Sequence, residues 1–79
     1  MIATLEFDLN DEGERIRHQL CLDAPNILSA IQDHFEWLRS QIKYAPETVP
    51  PEIVETFERC RTELFEALET RNIDLDRYH

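Results

Sequence analysis

A chain of 79 residues with a formal net charge of −9 is long enough for one small domain, and its acidity disfavours direct binding to the phosphates of nucleic acids. It contains no apolar run of about 18 residues and no basic leader before an apolar stretch, which predicts neither a membrane span nor a signal peptide. Because only one glycine is present, a sheet of many strands is disfavoured. We therefore expect a mostly helical single domain, residues 1–79, in the cytoplasm.

The first segment alternates as a β-strand does. Leu5, Phe7 and Leu9 fall on one face, and polar residues separate them. Residues 14–22 then permit two interpretations, a short helix after an acidic start or a second strand that closes a hairpin through the turn NDEG. Good helix formers favour the helix. In that case the strand at residues 2–9 has to pair across a dimer, whereas the hairpin requires no dimer.

Two long segments carry the 3.6-residue period of amphipathic helices. The first covers residues 26–44, after a break at Pro25, and the second covers about residues 52–71, after a loop rich in proline. A loop this short predicts that the two helices pack antiparallel. The predicted fold is mostly α (α+β): an N-terminal β-strand followed by two or three helices, the last two forming an antiparallel helical hairpin.

No catalytic or metal site stands out. His18 and Cys21 have the spacing of a zinc-ligand pair, and His34 or Cys60 could join them, but a second matching pair is lacking. We therefore predict that both cysteines are buried free thiols. Close carboxylate pairs are expected by chance among seventeen acidic residues, and one glycine cannot build a phosphate-binding loop. We expect no enzymatic activity, no metal and no cofactor.

Trp37 and Tyr44 lie on a second apolar stripe of the first long helix, offset from its core face. Trp is a typical interface anchor, which predicts a homodimer made through Trp37, Tyr44 and the edge of the N-terminal strand. Arg39 and Lys43 stand four residues apart on the same helix. They are either solvated residues near the negative helix end or a clamp for a small anion.

Three segments resemble small accessory proteins encoded by bacteriophages and prophages: LEFDLNDE at residues 5–12, WLRSQIKY at 37–44 and NIDLD at 72–76. The resemblance implies a protein of a bacterial host cytoplasm. It also implies a non-enzymatic binder, because phage accessory proteins of this size often act by binding. It implies no particular activity and no functional residue.

Three functions stay open. The leading hypothesis is an acidic protein-binding module that occupies a basic surface of a host protein and is steered there by exposed acids of the second helix. These acids are Glu55, Glu58, Glu66 and Glu69. The first alternative is a homodimeric sponge in which Arg39 and Lys43 of two protomers hold a small phosphate-bearing ligand. The second is a structural or assembly element without a ligand.

Overall fold

The protein is described by a computed structural model that covers residues 1–78. Helix α1 is Glu12–Lys43, helix α2 is Pro51–Thr70, and a short 3-10 helix is Leu75–Tyr78. The chain divides into two compact units, Met1–Ala30 and Ile31–His79, which we call the N-terminal and C-terminal units. Neither helix within residues 1–78 combines the length and apolar character needed to cross a bilayer.

The predicted N-terminal β-strand is wrong. Residues 1–8 form no regular secondary structure, and residues 1–78 contain no strand, so the α+β fold of a strand and two or three helices is replaced by an all-helical one. A strand is stable only when a second strand takes its hydrogen bonds, and residues 14–22 lie inside α1 instead. Leu5 is therefore exposed, while Phe7 is half-buried with its ring 5.5 Å from that of His18. The predicted dimer through the edge of this strand is therefore wrong as well, because residues 1–78 contain no strand to pair.

Helix α1 begins at an acidic cap. The Asp11 carboxylate accepts a hydrogen bond from the backbone N–H of Glu14 at 3.0 Å, and the Asp11 carbonyl accepts one from Arg15 at 2.9 Å. Asp11 is thus the N-cap residue, and Glu12 and Glu14 in the first turn interact favourably with the positive end of the helix dipole. This cap commits residues 14–22 to the helix.

Helix α1 continues through Pro25, so the predicted break there is wrong. Pro25 has no backbone N–H to donate to the carbonyl of Cys21, and its ring crowds that carbonyl. A proline in a helix interior costs about 3 kcal/mol relative to alanine. The helix continues because one hydrogen bond is lost while the turns on both sides keep theirs.

Helix α2 and the C-terminal part of α1 form the core of the C-terminal unit. Leu38 of α1 and Leu68 of α2 are the two buried residues of residues 1–78, at 2% and 8% exposure. The Phe57 ring meets the Trp37 ring edge-on, with the ring centroids 5.6 Å apart. The core is small for a chain of this length.

Helix α2 ends in a Schellman turn. The N–H of Ile73 donates to the carbonyl of Leu68 at 2.9 Å, and the N–H of Asn72 donates to the carbonyl of Glu69 at 2.9 Å. Asn72 has a φ of 59°, in the left-handed region that asparagine tolerates better than most residues. The turn redirects the chain into the 3-10 helix Leu75–Tyr78.

Replacing Pro25 with alanine is expected to raise the free energy of unfolding by about 2 kcal/mol. The substitution restores a helical hydrogen bond, and this gain exceeds the loss from the higher conformational entropy of the unfolded chain. Urea denaturation followed by circular dichroism measures the change. Pro46→Ala, between the two helices, is the control and should give no stabilisation. A Pro25→Ala variant no more stable than the unmodified chain would contradict a helix that continues through residue 25.

Leu38→Ala is expected to lower the free energy of unfolding by about 2–5 kcal/mol, because it removes a buried side chain and leaves a cavity. Leu22→Ala is the same substitution in the same helix at a residue that is 59% exposed, and it should change stability by less than about 0.5 kcal/mol. Urea titrations at equal protein concentration compare the two variants. Equal losses would show that Leu38 is not a core residue.

Candidate functional site

An open groove of about 1170 Å³ lies within the C-terminal unit. Its walls come from α1, from α2 and from the segment after the Schellman turn, so side chains distant in sequence lie along one surface. The apolar part of the lining includes Phe35, Ile42, Phe65, Ile73, Leu75 and Tyr78. This volume exceeds the range of about 300–1,000 Å³ that is usual for small-molecule pockets.

Much of the apolar lining is exposed. Phe65 is 58% exposed, Tyr78 is 52% exposed and Ile73 is 37% exposed. A phenylalanine ring is normally a large contribution to a core, and in this groove more than half of the residue remains accessible. Exposed apolar groups that lie together in a concave surface are typical of binding sites for proteins or ligands.

The polar part of the lining is predominantly acidic. Its five carboxylates are those of Glu36, Glu58, Glu69, Asp74 and Asp76. The lining also contains two guanidinium groups, those of Arg39 and Arg61, which leaves an excess of negative charge. Arg39 Nη1 lies 3.9 Å from Glu36 Oε2, and both side chains are well exposed, so this pair contributes little to stability.

The four acids predicted on α2 are all exposed, and only two of them line the groove. Glu58 and Glu69 are part of its lining, whereas Glu55 and Glu66 are not. All four fall within an arc of about 80° around α2, at a rotation of about 100° per residue. The four acids therefore form two pairs with the same spacing along α2, one that lines the groove and one that does not.

Trp37 and Tyr44 are not part of the groove lining. The Trp37 ring is stacked on that of His34 at 5.9 Å and meets Phe57, and Trp37 remains 50% exposed. Tyr44 is 71% exposed, and Lys43 Nζ lies 5.5 Å from its ring centroid. An interface through Trp37 and Tyr44 stays a prediction.

Arg39 and Lys43 lie in different surroundings. Arg39 lines the groove beside Glu36, whereas Lys43 lies over the ring of Tyr44 and does not line the groove. The carboxylates around Arg39 disfavour a phosphate ligand at this place. The phosphate clamp stays a prediction.

Cys21 and Cys60 are exposed free thiols, so their predicted burial is wrong. Each has the apolar spacing of a core residue, but its side chain lies on an exposed part of its helix. Within residues 1–78, no group of three or more His, Cys, Asp or Glu side chains is arranged to hold a metal ion.

The groove residues after α2 were not predicted from the sequence as part of a site. The signal that identifies them is the Schellman pattern, in which an asparagine follows the helix and an apolar residue follows the asparagine. In this chain Asn72 and Ile73 occupy these positions, and Leu68 is the apolar residue one turn earlier. That pattern predicts that Ile73 lies next to the end of α2.

Comparisons with protein-family models, with curated proteins and with solved structures find no match to this chain. The functional argument therefore depends on the chain's own residues.

Proposed function

We propose that this chain is a non-enzymatic binding protein whose groove takes an amphipathic, basic helix of a partner protein. The observation that supports this function is the combination of an exposed apolar lining with five carboxylates in one open groove. Amphipathic helices bind such grooves through apolar anchors at steps of three and four residues. Lysine or arginine residues beside those anchors would lie against the carboxylates.

Phe65 is the expected centre of the apolar contact. Among the large apolar side chains of the groove it is the most exposed, and Glu58 and Glu69 lie on the same side of α2 at i−7 and i+4. Burying a phenylalanine side chain contributes about 1.5–3 kcal/mol. Acidic groups around an aromatic anchor restrict the partner to one that is apolar at its centre and basic at its edges.

The charge of the chain supports the same kind of partner. With a net charge of −9, it attracts basic proteins over distance and accelerates their association at low salt. The resemblance to phage accessory proteins supports this class of function as well, since such proteins often act by occupying the surface of a host protein.

Exchanging the two groove acids for amides, Glu58→Gln with Glu69→Gln, is expected to weaken binding of a basic amphipathic helix about tenfold, because two rim ion pairs contribute roughly 0.5–1 kcal/mol each. The probe is a labelled synthetic helix with leucines at i, i+3, i+4 and i+7 and lysines elsewhere. Fluorescence anisotropy gives its Kd.

The control is the pair Glu55→Gln with Glu66→Gln, which has the same charge change and the same spacing on α2 but lies outside the groove lining. It should raise the Kd less than about threefold, since exposed charges at a distance are screened. Binding of the lysine helix should also weaken as salt is added. Equal losses from both pairs, or equal binding of a helix with glutamates in place of the lysines, would refute the groove as the site.

Phe65→Ala is expected to raise the Kd of the same helix about thirtyfold, the effect of losing about 2 kcal/mol at an aromatic anchor. Because Phe65 is 58% exposed, the variant should remain folded by circular dichroism. Ile53→Ala is the control, since Ile53 is also an exposed apolar residue of α2, at 46%, and does not line the groove. Unchanged affinity in Phe65→Ala would exclude Phe65 as the anchor.

A further inference from the structure

We infer that Arg77 is a positioning residue of the groove, because its guanidinium group connects the 3-10 helix to the Schellman turn. Arg77 Nη2 donates a hydrogen bond to the carbonyl of Asn72, five residues earlier. We call this pair of residues the clasp. Neither of them lines the groove, whereas residues 73–76 and Tyr78 do. The effect of the clasp on binding rests on the proposed function, whereas the clasp itself is measurable in the free chain.

The wall that follows α2 is held by little apolar packing. Its apolar side chains are those of Ile73, Leu75 and Tyr78, of which Leu75 is half-buried and the other two are exposed. Ordering each residue of such a segment costs backbone entropy, which partly exposed side chains offset only in part. Hydrogen bonds therefore have a large share in fixing the position of this wall.

Two hydrogen bonds within the wall are local. The N–H of Asp76 donates to the Asp74 carboxylate at 3.0 Å, and the N–H of Arg77 donates to the Asp74 carbonyl at 3.2 Å. Both close a turn within the segment, so they form the 3-10 helix but do not connect it to the end of α2. The clasp makes that connection, because its acceptor, Asn72, is the left-handed residue of the Schellman turn.

Charge and position predict opposite results when Arg77 is replaced by a neutral residue. Loss of a cation beside a lining in which carboxylates predominate makes the field of the groove more negative, so charge alone predicts tighter binding of a basic helix. Loss of the clasp lowers the fraction of chains whose wall is in place, and the apparent Kd rises as this fraction falls. We expect the second effect to be the larger one, because Arg77 is exposed and exposed charges are screened.

The test replaces Arg77 and, as a matched control, Arg71. Arg71 Nη1 also donates to a backbone carbonyl, that of Ala67 at 2.8 Å, and Arg71 also does not line the groove. Arg77→Gln and Arg71→Gln therefore remove the same charge and the same kind of hydrogen bond. Heteronuclear NOE values of the free, 15N-labelled chain report the order of the amides of residues 75–78 on the ps–ns timescale. We expect these values to fall in Arg77→Gln and to stay unchanged in Arg71→Gln.

The same variants are then compared for binding of the lysine helix, by fluorescence anisotropy and by stopped flow. Arg77→Gln should raise the Kd about threefold to fivefold, mainly through slower association, because fewer free chains have the wall in place. Arg71→Gln should leave the Kd unchanged or lower it slightly, as the loss of a cation alone predicts. Arg77→Lys keeps the charge and a donor for the Asn72 carbonyl, so it should restore the NOE values and the association rate.

Three results would overturn the role of Arg77. They are unchanged NOE values in Arg77→Gln, an equal fall of these values in Arg71→Gln, and tighter binding of the lysine helix by Arg77→Gln. If the unmodified chain does not bind the lysine helix, the proposed function fails. The NOE values of the free chains then still decide whether Arg77 holds the wall.

Discussion

The folded state of this chain depends on the burial of two leucines, one on each long helix. Leu38 and Leu68 are the buried residues of the part that the structure describes, and both belong to the C-terminal unit. Burying a leucine contributes about 1.5–3 kcal/mol, whereas ordering each residue costs about 1–2 kcal/mol of backbone entropy. A core this small leaves a narrow margin of stability. A partner that covers more apolar surface would therefore make a large relative contribution to the free energy of unfolding, because binding to the folded state stabilises it.

Charge limits which partner the proposed groove can accept. Burial of apolar area is non-directional, so by itself it does not select between a basic and an acidic partner. Helix α2 contains six acidic and two basic residues, and part of this acidity lines the groove. Opposite charges accelerate association and like charges suppress it, so the lining of the groove favours a basic partner, as proposed above, over an acidic one.

The helical character of the long segments follows from their 3.6-residue period and is confirmed, while the strand and the break at Pro25 are wrong for a common reason. Both predictions used a local sequence pattern alone and left out the structural element next to it. Alternation at Leu5 and Phe7 makes a strand only if another strand takes its hydrogen bonds, and the Asp11 cap places the only candidate in a helix. A proline within a helical pattern usually predicts a helix end. In α1 the proline removes one hydrogen bond, and the helix continues because the turns on both sides keep theirs.

The groove was predictable only in part because it depends on how the chain turns after α2. The sequence identifies exposed acids on α2, but it does not show that Glu58 and Glu69 line a cavity while Glu55 and Glu66 do not. Leu68 connects this site to the core, because its side chain is buried and its carbonyl accepts the N–H of Ile73. A partner that covers Ile73 therefore also holds the end of α2 in place.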